Sequence, residues 1–161
     1  MRIFTHHPYR KKYYLTHPID FFAHYCRDLK CAYERATKGY CFRDLWNIDY
    51  WFLNVFPMML QDFNKIRNGH PGNITEEEWN TIIEDMIISF KNADEEQTDY
   101  LNKYEEEYDK IIFKEDNNYT DKEKELQKNY YNEENKKFEY RKHNLQKGFQ
   151  LLNKWFFALW D

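Results

Sequence analysis

Asp44 and Asp49 are two carboxylates five residues apart, set in an aromatic run with Phe42, Trp46, Trp51 and Phe52. Acids so spaced on a helix could bind a divalent ion or act as a general base. Each also has a structural reading. Asp44 comes three residues after Cys41, where a carboxylate satisfies free amides at a helix start and interacts with the helix dipole. Asp49 falls between Ile48 and Trp51, where a charge is expected to be buried, and a buried Asp needs a cation; Arg35 or Arg27 would supply it. Arg27, Arg35, Arg43, Asp44, Trp46 and Asp49 are therefore the candidate binding residues, and no catalytic residue is assigned.

Other chemistry has less footing. Glu76, Glu77, Glu78, Glu84 and Asp85 offer carboxylates, but the E-x-x-H element of di-metal helical bundles occurs nowhere in the chain, so no metal site is expected. The six histidines have no ligand spacing apart from the pair His17 and His24. No phosphate-cradling, dinucleotide-binding, nucleophile-elbow or zinc-protease signature is present, and no cofactor is expected. Arg2, Arg10, Lys11 and Lys12 interleave with Phe4, Tyr9, Tyr13 and Tyr14 in a manner that could clamp single-stranded nucleic acid. Acid-rich sequence downstream would repel a polyanion, so nucleic acid is not the expected partner.

The elements that must position these residues read as helices. Only 4 Gly and 4 Pro occur in 161 residues, too few for the frequent turns of an all-β fold, whereas 14 Tyr, 13 Phe and 5 Trp supply a core of large rings. Thr16, His17 and Pro18 form a helix start ahead of the stripe Ile19, Phe22, Tyr25 or Cys26, Leu29 and Tyr33, predicting a helix from Pro18 to Lys38 that stops at Gly39. A second pattern from Phe42 to Phe63 is apolar on most faces and is expected to kink or break at Pro57. Gly69, His70, Pro71, Gly72 and Asn73 read as a turn.

Thr75 with Glu78 is a capping box, and Trp79, Ile83, Met86, Phe90, Ala93, Gln97, Leu101, Tyr104, Tyr108 and Ile111 predict one helix of about ten turns. Asp116, Asn117 and Asn118 then interrupt it. Thr120 with Glu123 is a second capping box, opening a last helix whose first half is charged and whose second half is dense in apolar groups.

The expected fold is all-α and a single domain over 1–161. It has a basic aromatic arm at 1–17, a four-helix core from 18–91 and 144–161, and a long protruding antiparallel helical hairpin at 92–143. In the hairpin, Leu101, Tyr104, Tyr108 and Ile111 are expected to face Leu126, Tyr130 and Phe138. Net charge is −4, but bases outnumber acids about two to one up to Trp46, and acids outnumber bases similarly from Glu76 to Glu139. Cys26, Cys31 and Cys41 are odd in number without C-x-x-C spacing, which reads as reduced thiols of a cytoplasmic protein. The apolar stretch around Trp51 to Leu60 is too short to span a bilayer, so no membrane association is expected.

The string Gly39-Tyr40-Cys41-Phe42-Arg43-Asp44-Leu45-Trp46-Asn47-Ile48-Asp49, then Gly69-His70-Pro71, Glu77-Glu78-Trp79 and the ending from Gly148-Phe149 to Leu159-Trp160-Asp161 together resemble a family of small phage- and prophage-encoded proteins without a known activity. The resemblance covers about Ile19 to Phe90 and the last twenty residues, with Cys41 in place of a usual Ser and the acidic hairpin as an insertion. It implies a viral or mobile-element origin and nothing finer. The expected function is that of a phage or prophage accessory protein in the host cytoplasm, binding a host or phage protein or a small ligand to blunt a bacterial defence. Self-association is left open. The second expectation is a metal-dependent nucleotide or phosphate hydrolase using Asp49 and neighbouring acids.

Overall fold

The computed structural model describes residues 18–112 and 119–160. The basic arm, the Thr16 cap and the interruption at Asp116 lie outside those residues. Among the described residues every regular element is helical and none is a strand, so the chain is all-α. No helix among them is long and apolar enough to cross a membrane. The chain divides into two compact units, 1–55 and 56–161.

The first described element of the first unit is α1, Pro18–Lys38. Gly39 ends it as expected, because its φ of 81° is left-handed, a conformation glycine enters without a Cβ clash. Its N–H donates to the Arg35 carbonyl at 3.0 Å, closing the last turn. A 3-10 turn, Asp44–Trp46, then leads into α2, Ile48–Ile66, which passes from the first unit into the second. The break allowed for at Pro57 does not occur: α2 runs through this residue and the ring is buried; burial of the pyrrolidine compensates for one missing backbone hydrogen bond.

The second unit is organised by two antiparallel helices, α3 at Glu76–Ala93 and α5 at Asp121–Trp155. Both start with the expected capping boxes, Thr75 with Glu78 and Thr120 with Glu123. Trp79, Ile83, Met86, Ile87, Phe90 and Ala93 make the buried face of α3, and α3 packs along α5. Contacts run in opposite directions along the two chains: Trp79 meets Trp155 at 5.4 Å between ring centroids, and Phe90 meets Phe149 edge-on at 5.4 Å. At the far end, Arg141 Nε donates to the Ala93 carbonyl at 3.0 Å, a cation satisfying the free end of a helix dipole.

One long helix from Trp79 to Ile111 is not what forms. α3 ends at Ala93, an eleven-residue connection follows, and α4 occupies Glu105–Ile112. The reason is local competition from short polar side chains. Asp94 Oδ1 accepts the N–H groups of Glu96 and Gln97 at 2.8 and 3.1 Å, Asn92 Oδ1 accepts that of Asp99 at 3.0 Å, and Asn102 Oδ1 accepts that of Tyr104 at 3.0 Å. The connection is tied to α5 as well. Tyr100 donates to Glu133 at 2.7 Å, Tyr140 donates to Asp99 at 2.7 Å, and the Asn102 amide donates to Glu134 at 2.8 Å and to the Tyr130 carbonyl at 3.2 Å.

Breaking the helix also changes the seam against α5. Tyr108 stacks on Tyr130 at 4.0 Å and, with Ile111, is buried. Leu101 and Phe138, expected in the same seam, are exposed, because the connection around Leu101 follows its polar anchors and not a helical period.

At Gly148, α5 lies directly against the Phe90 ring of α3. A Cβ there would lie 2.9 to 3.1 Å from three atoms of the Phe90 ring, which is fully buried and held edge-on by Phe56 and Phe149. Gly148→Ala should therefore destabilise the protein by about 1 kcal/mol net, overpacking outweighing the gain in helix propensity. Denaturant unfolding at unchanged m-value checks this; a stabilised variant would mean the ring yields freely.

Candidate functional site

Around the Gly39 turn the first unit gathers its chemically able side chains. His24, Asp28, Cys31 and Arg35 recur at steps of four, three and four and so share one face of α1. After Gly39 the chain folds back across that face. Asp44 is buried and accepts a fork from Arg35, Nε to Oδ2 at 3.0 Å and Nη2 to Oδ1 at 2.5 Å, while the Cys41 N–H donates to Oδ2 at 2.8 Å. The Asp44 N–H donates to the Cys41 carbonyl at 3.0 Å, so the carboxylate also closes the turn, as its position three after Cys41 implied.

A second ion pair lies beside the first. Arg43 Nη1 donates to Asp28 Oδ1 at 2.6 Å, and His24 Nε2 sits 3.5 Å from the other oxygen of this buried carboxylate. Cys31 and Cys41 are both buried. Burial first, and a hydrogen bond with Cys41 second, push the Cys31 thiol up to about 11, against the pull of Arg43 and Arg35. Such a thiol stays protonated and behaves as a small apolar group. The Arg35 hydrogen bonds hold the Asp44 carboxyl below its ordinary range and in turn hold the Arg35 guanidinium above its own.

The candidates named from sequence are therefore divided. Arg35, Arg43 and Asp44 come together. Arg27, Trp46 and Asp49 are exposed. The buried Asp49 ion pair is corrected: Asp49 opens the first turn of α2 facing solvent, where an acid favours the helix dipole without needing a partner. Arg35 pairs with Asp44. Asp28 was missed, although its spacing to Cys31 and Arg35 was the available signal. Among the described residues no three His, Cys, Asp or Glu side chains converge in a way that could hold a metal ion.

The apolar stripe of α1, Ile19, Phe22, Tyr25, Leu29 and Tyr33, is 48 to 82% exposed. The face turned inward is the one carrying Asp28 and Cys31, because two carboxylates and two arginines there find one another. Trp46, on the adjoining 3-10 turn, is 83% exposed. The exposed bases Arg27, Lys30 and Lys38 accompany these residues on α1. No protein-family model, curated protein or solved structure matches this chain.

Asp44 has a lower pKa folded than unfolded, so its pairing stabilises above the ordinary carboxylate range and is lost as pH falls through the folded value. Asp44→Asn should cost about 2 kcal/mol at neutral pH, less than a fully buried pair because Arg35 is partly exposed. It should also flatten the acid limb of stability against pH. Urea melts between neutral and acid pH check both; parallel limbs in the two proteins would show that Asp44 is not the titrating group.

Proposed function

We infer that this protein acts by binding another protein, with α1 as the recognition helix. The observation that carries the reading is the exposure of Phe22, Tyr25, Leu29 and Tyr33, which recur at i, i+3, i+7 and i+11, the spacing with which an amphipathic helix anchors in a partner's groove. Flat, rigid rings are effective anchors, and an exposed Trp such as Trp46 is a frequent hot spot. Arg27, Lys30 and Lys38 suit a partner whose groove is rimmed by carboxylates. The acids and bases of the Gly39 cluster are engaged with one another, which supports a scaffold role for it: the ion pairs fix the inward face of α1 and so leave the apolar face outward.

The resemblance to phage- and prophage-encoded proteins motivates the rest of the proposal. The partner is then a host protein, the place of action the host cytoplasm, and the outcome antagonism of a bacterial defence. A four-helix core with a protruding 92–143 hairpin would cover the same α1 face internally, and it makes the opposite prediction. The hydrolase reading rests on Asp49 and would be favoured by magnesium-dependent nucleotide cleavage that Asp49→Asn abolishes.

Affinity capture from host cells, followed by titration of the captured protein, tests the proposal. Phe22→Asp and Leu29→Asp should each weaken binding more than about tenfold and leave unfolding stability within about 0.5 kcal/mol, as for other exposed substitutions. If the same variants unfold the protein instead, α1 packs within its own chain and the internal core is the better account.

A further inference from the structure

The turn at 69–72 and the residues that follow α5 enclose a groove of about 360 Å³, at the small end of the range for ligand sites. One wall is the turn itself. Gly69 and Gly72 have no neighbours within 4 Å of where a Cβ would be, so the wall is bare backbone beside Pro71. The turn is held in place by Arg67, whose guanidinium donates to the Gly69 carbonyl at 2.7 Å, to Asn80 at 2.6 Å and to Asn64 at 2.9 Å. A groove fixed in this way loses little further freedom when a ligand enters.

The opposite wall is aromatic. Phe157 is 89% and Trp160 75% exposed, so both rings have surface open to a ligand, with Phe157 also meeting Phe156 at right angles at 5.5 Å. Two polar groups accompany them. His70 Nδ1 lies 3.1 Å from the Pro71 carbonyl; the bond requires the proton on Nδ1, which leaves Nε2 of the neutral ring as an acceptor. The Trp160 indole N–H is a donor. Among the described residues no hydrogen bond uses either group. Among the described residues no Asp, Glu, Lys or Arg lines the groove.

We propose that this groove binds a neutral, planar heteroaromatic ring of nucleobase size whose edge carries both a hydrogen-bond donor and an acceptor. Each feature selects part of that description. Exposed ring faces stack with any flat π-system. The His70 acceptor requires a donor on the ligand, and the Trp160 donor requires an acceptor. Among the described residues no Lys or Arg lines the groove to hold a phosphate or carboxylate, so a base is recognised by its ring and edge. The volume admits one nucleoside. The groove shares no residue with the α1 face, and the proposal does not depend on the protein-binding one.

Adenosine added to the full-length protein tests it, observed through the Trp160 indole N–H signal, which is assigned by its disappearance in Trp160→Phe. A saturable shift of that signal is expected. His70→Ala should weaken binding roughly tenfold, the effect of one lost hydrogen bond. Purine riboside, which lacks the exocyclic amino donor, should bind the unsubstituted protein as weakly, a comparison that needs no variant to fold. Adenosine 5′-monophosphate should match adenosine. The proposal is overturned by no saturable shift at millimolar adenosine, by equal binding of adenosine and purine riboside, or by clearly tighter binding of the monophosphate. Displacement of adenosine by a single-stranded oligonucleotide at much lower base concentration would also overturn it, assigning the groove to a polymer.

Discussion

A buried carboxylate must be paired, and in the first unit that requirement decides which side of α1 turns inward. Asp28 and Asp44 are both buried. Leaving either without its arginine would cost more than exposing several rings, since an unpaired buried charge is worth several kilocalories whereas a half-exposed aromatic forfeits only part of its transfer free energy. Arg43 and Arg35 therefore draw the segment after Gly39 back across the Asp28, Cys31 and Arg35 face. The two thiols of the same cluster, Cys31 and Cys41, are buried with them. The apolar stripe on the other side of the helix is left exposed.

The second unit solves its own packing problem by different means. Its interior is built from a few large rings, so α3 and α5 meet where one residue has no side chain at all: Gly148 lies under Phe90, and Phe56 and Phe149 close around the same ring edge-on. Beyond Ala93 the apolar supply thins and polar groups take over. Asn92, Asp94, Asn102 and Glu133 are buried, and each has a partner in the connection or on α5. Buried polar groups satisfied this fully specify one geometry for the connection, at the cost of the helix that apolar spacing alone would have continued.

Much of this was legible in the residues. The Gly39 stop of α1, both capping boxes and the all-α class follow from signals within a few residues of each other, where backbone preference and a single side-chain hydrogen bond dominate. The role of Asp44 at its turn was legible for the same reason, being a contact between residues three apart. Arg35 reads from sequence as the partner of a buried acid, but aromatic neighbours point to Asp49 as that acid and the structure pairs Arg35 with Asp44, because neighbours in sequence do not define burial in space.

What tertiary structure alone decided is which of two competing faces or states each segment adopts. On α1 an apolar stripe and a stripe of Asp28, Cys31 and Arg35 both have helical period, and choosing between them needs the position of Arg43 and Asp44 after the chain has turned. Between Ala93 and Glu105 the heptad-like spacing and the short polar side chains favour opposite outcomes, and the balance rests on Glu133, Glu134 and Tyr140, at least twenty-nine residues further on. Sequence by itself determined the local starts, stops and helical class, because those energies are short-ranged. Burial and pairing are properties of groups brought together from distant positions, and only the folded chain defines them.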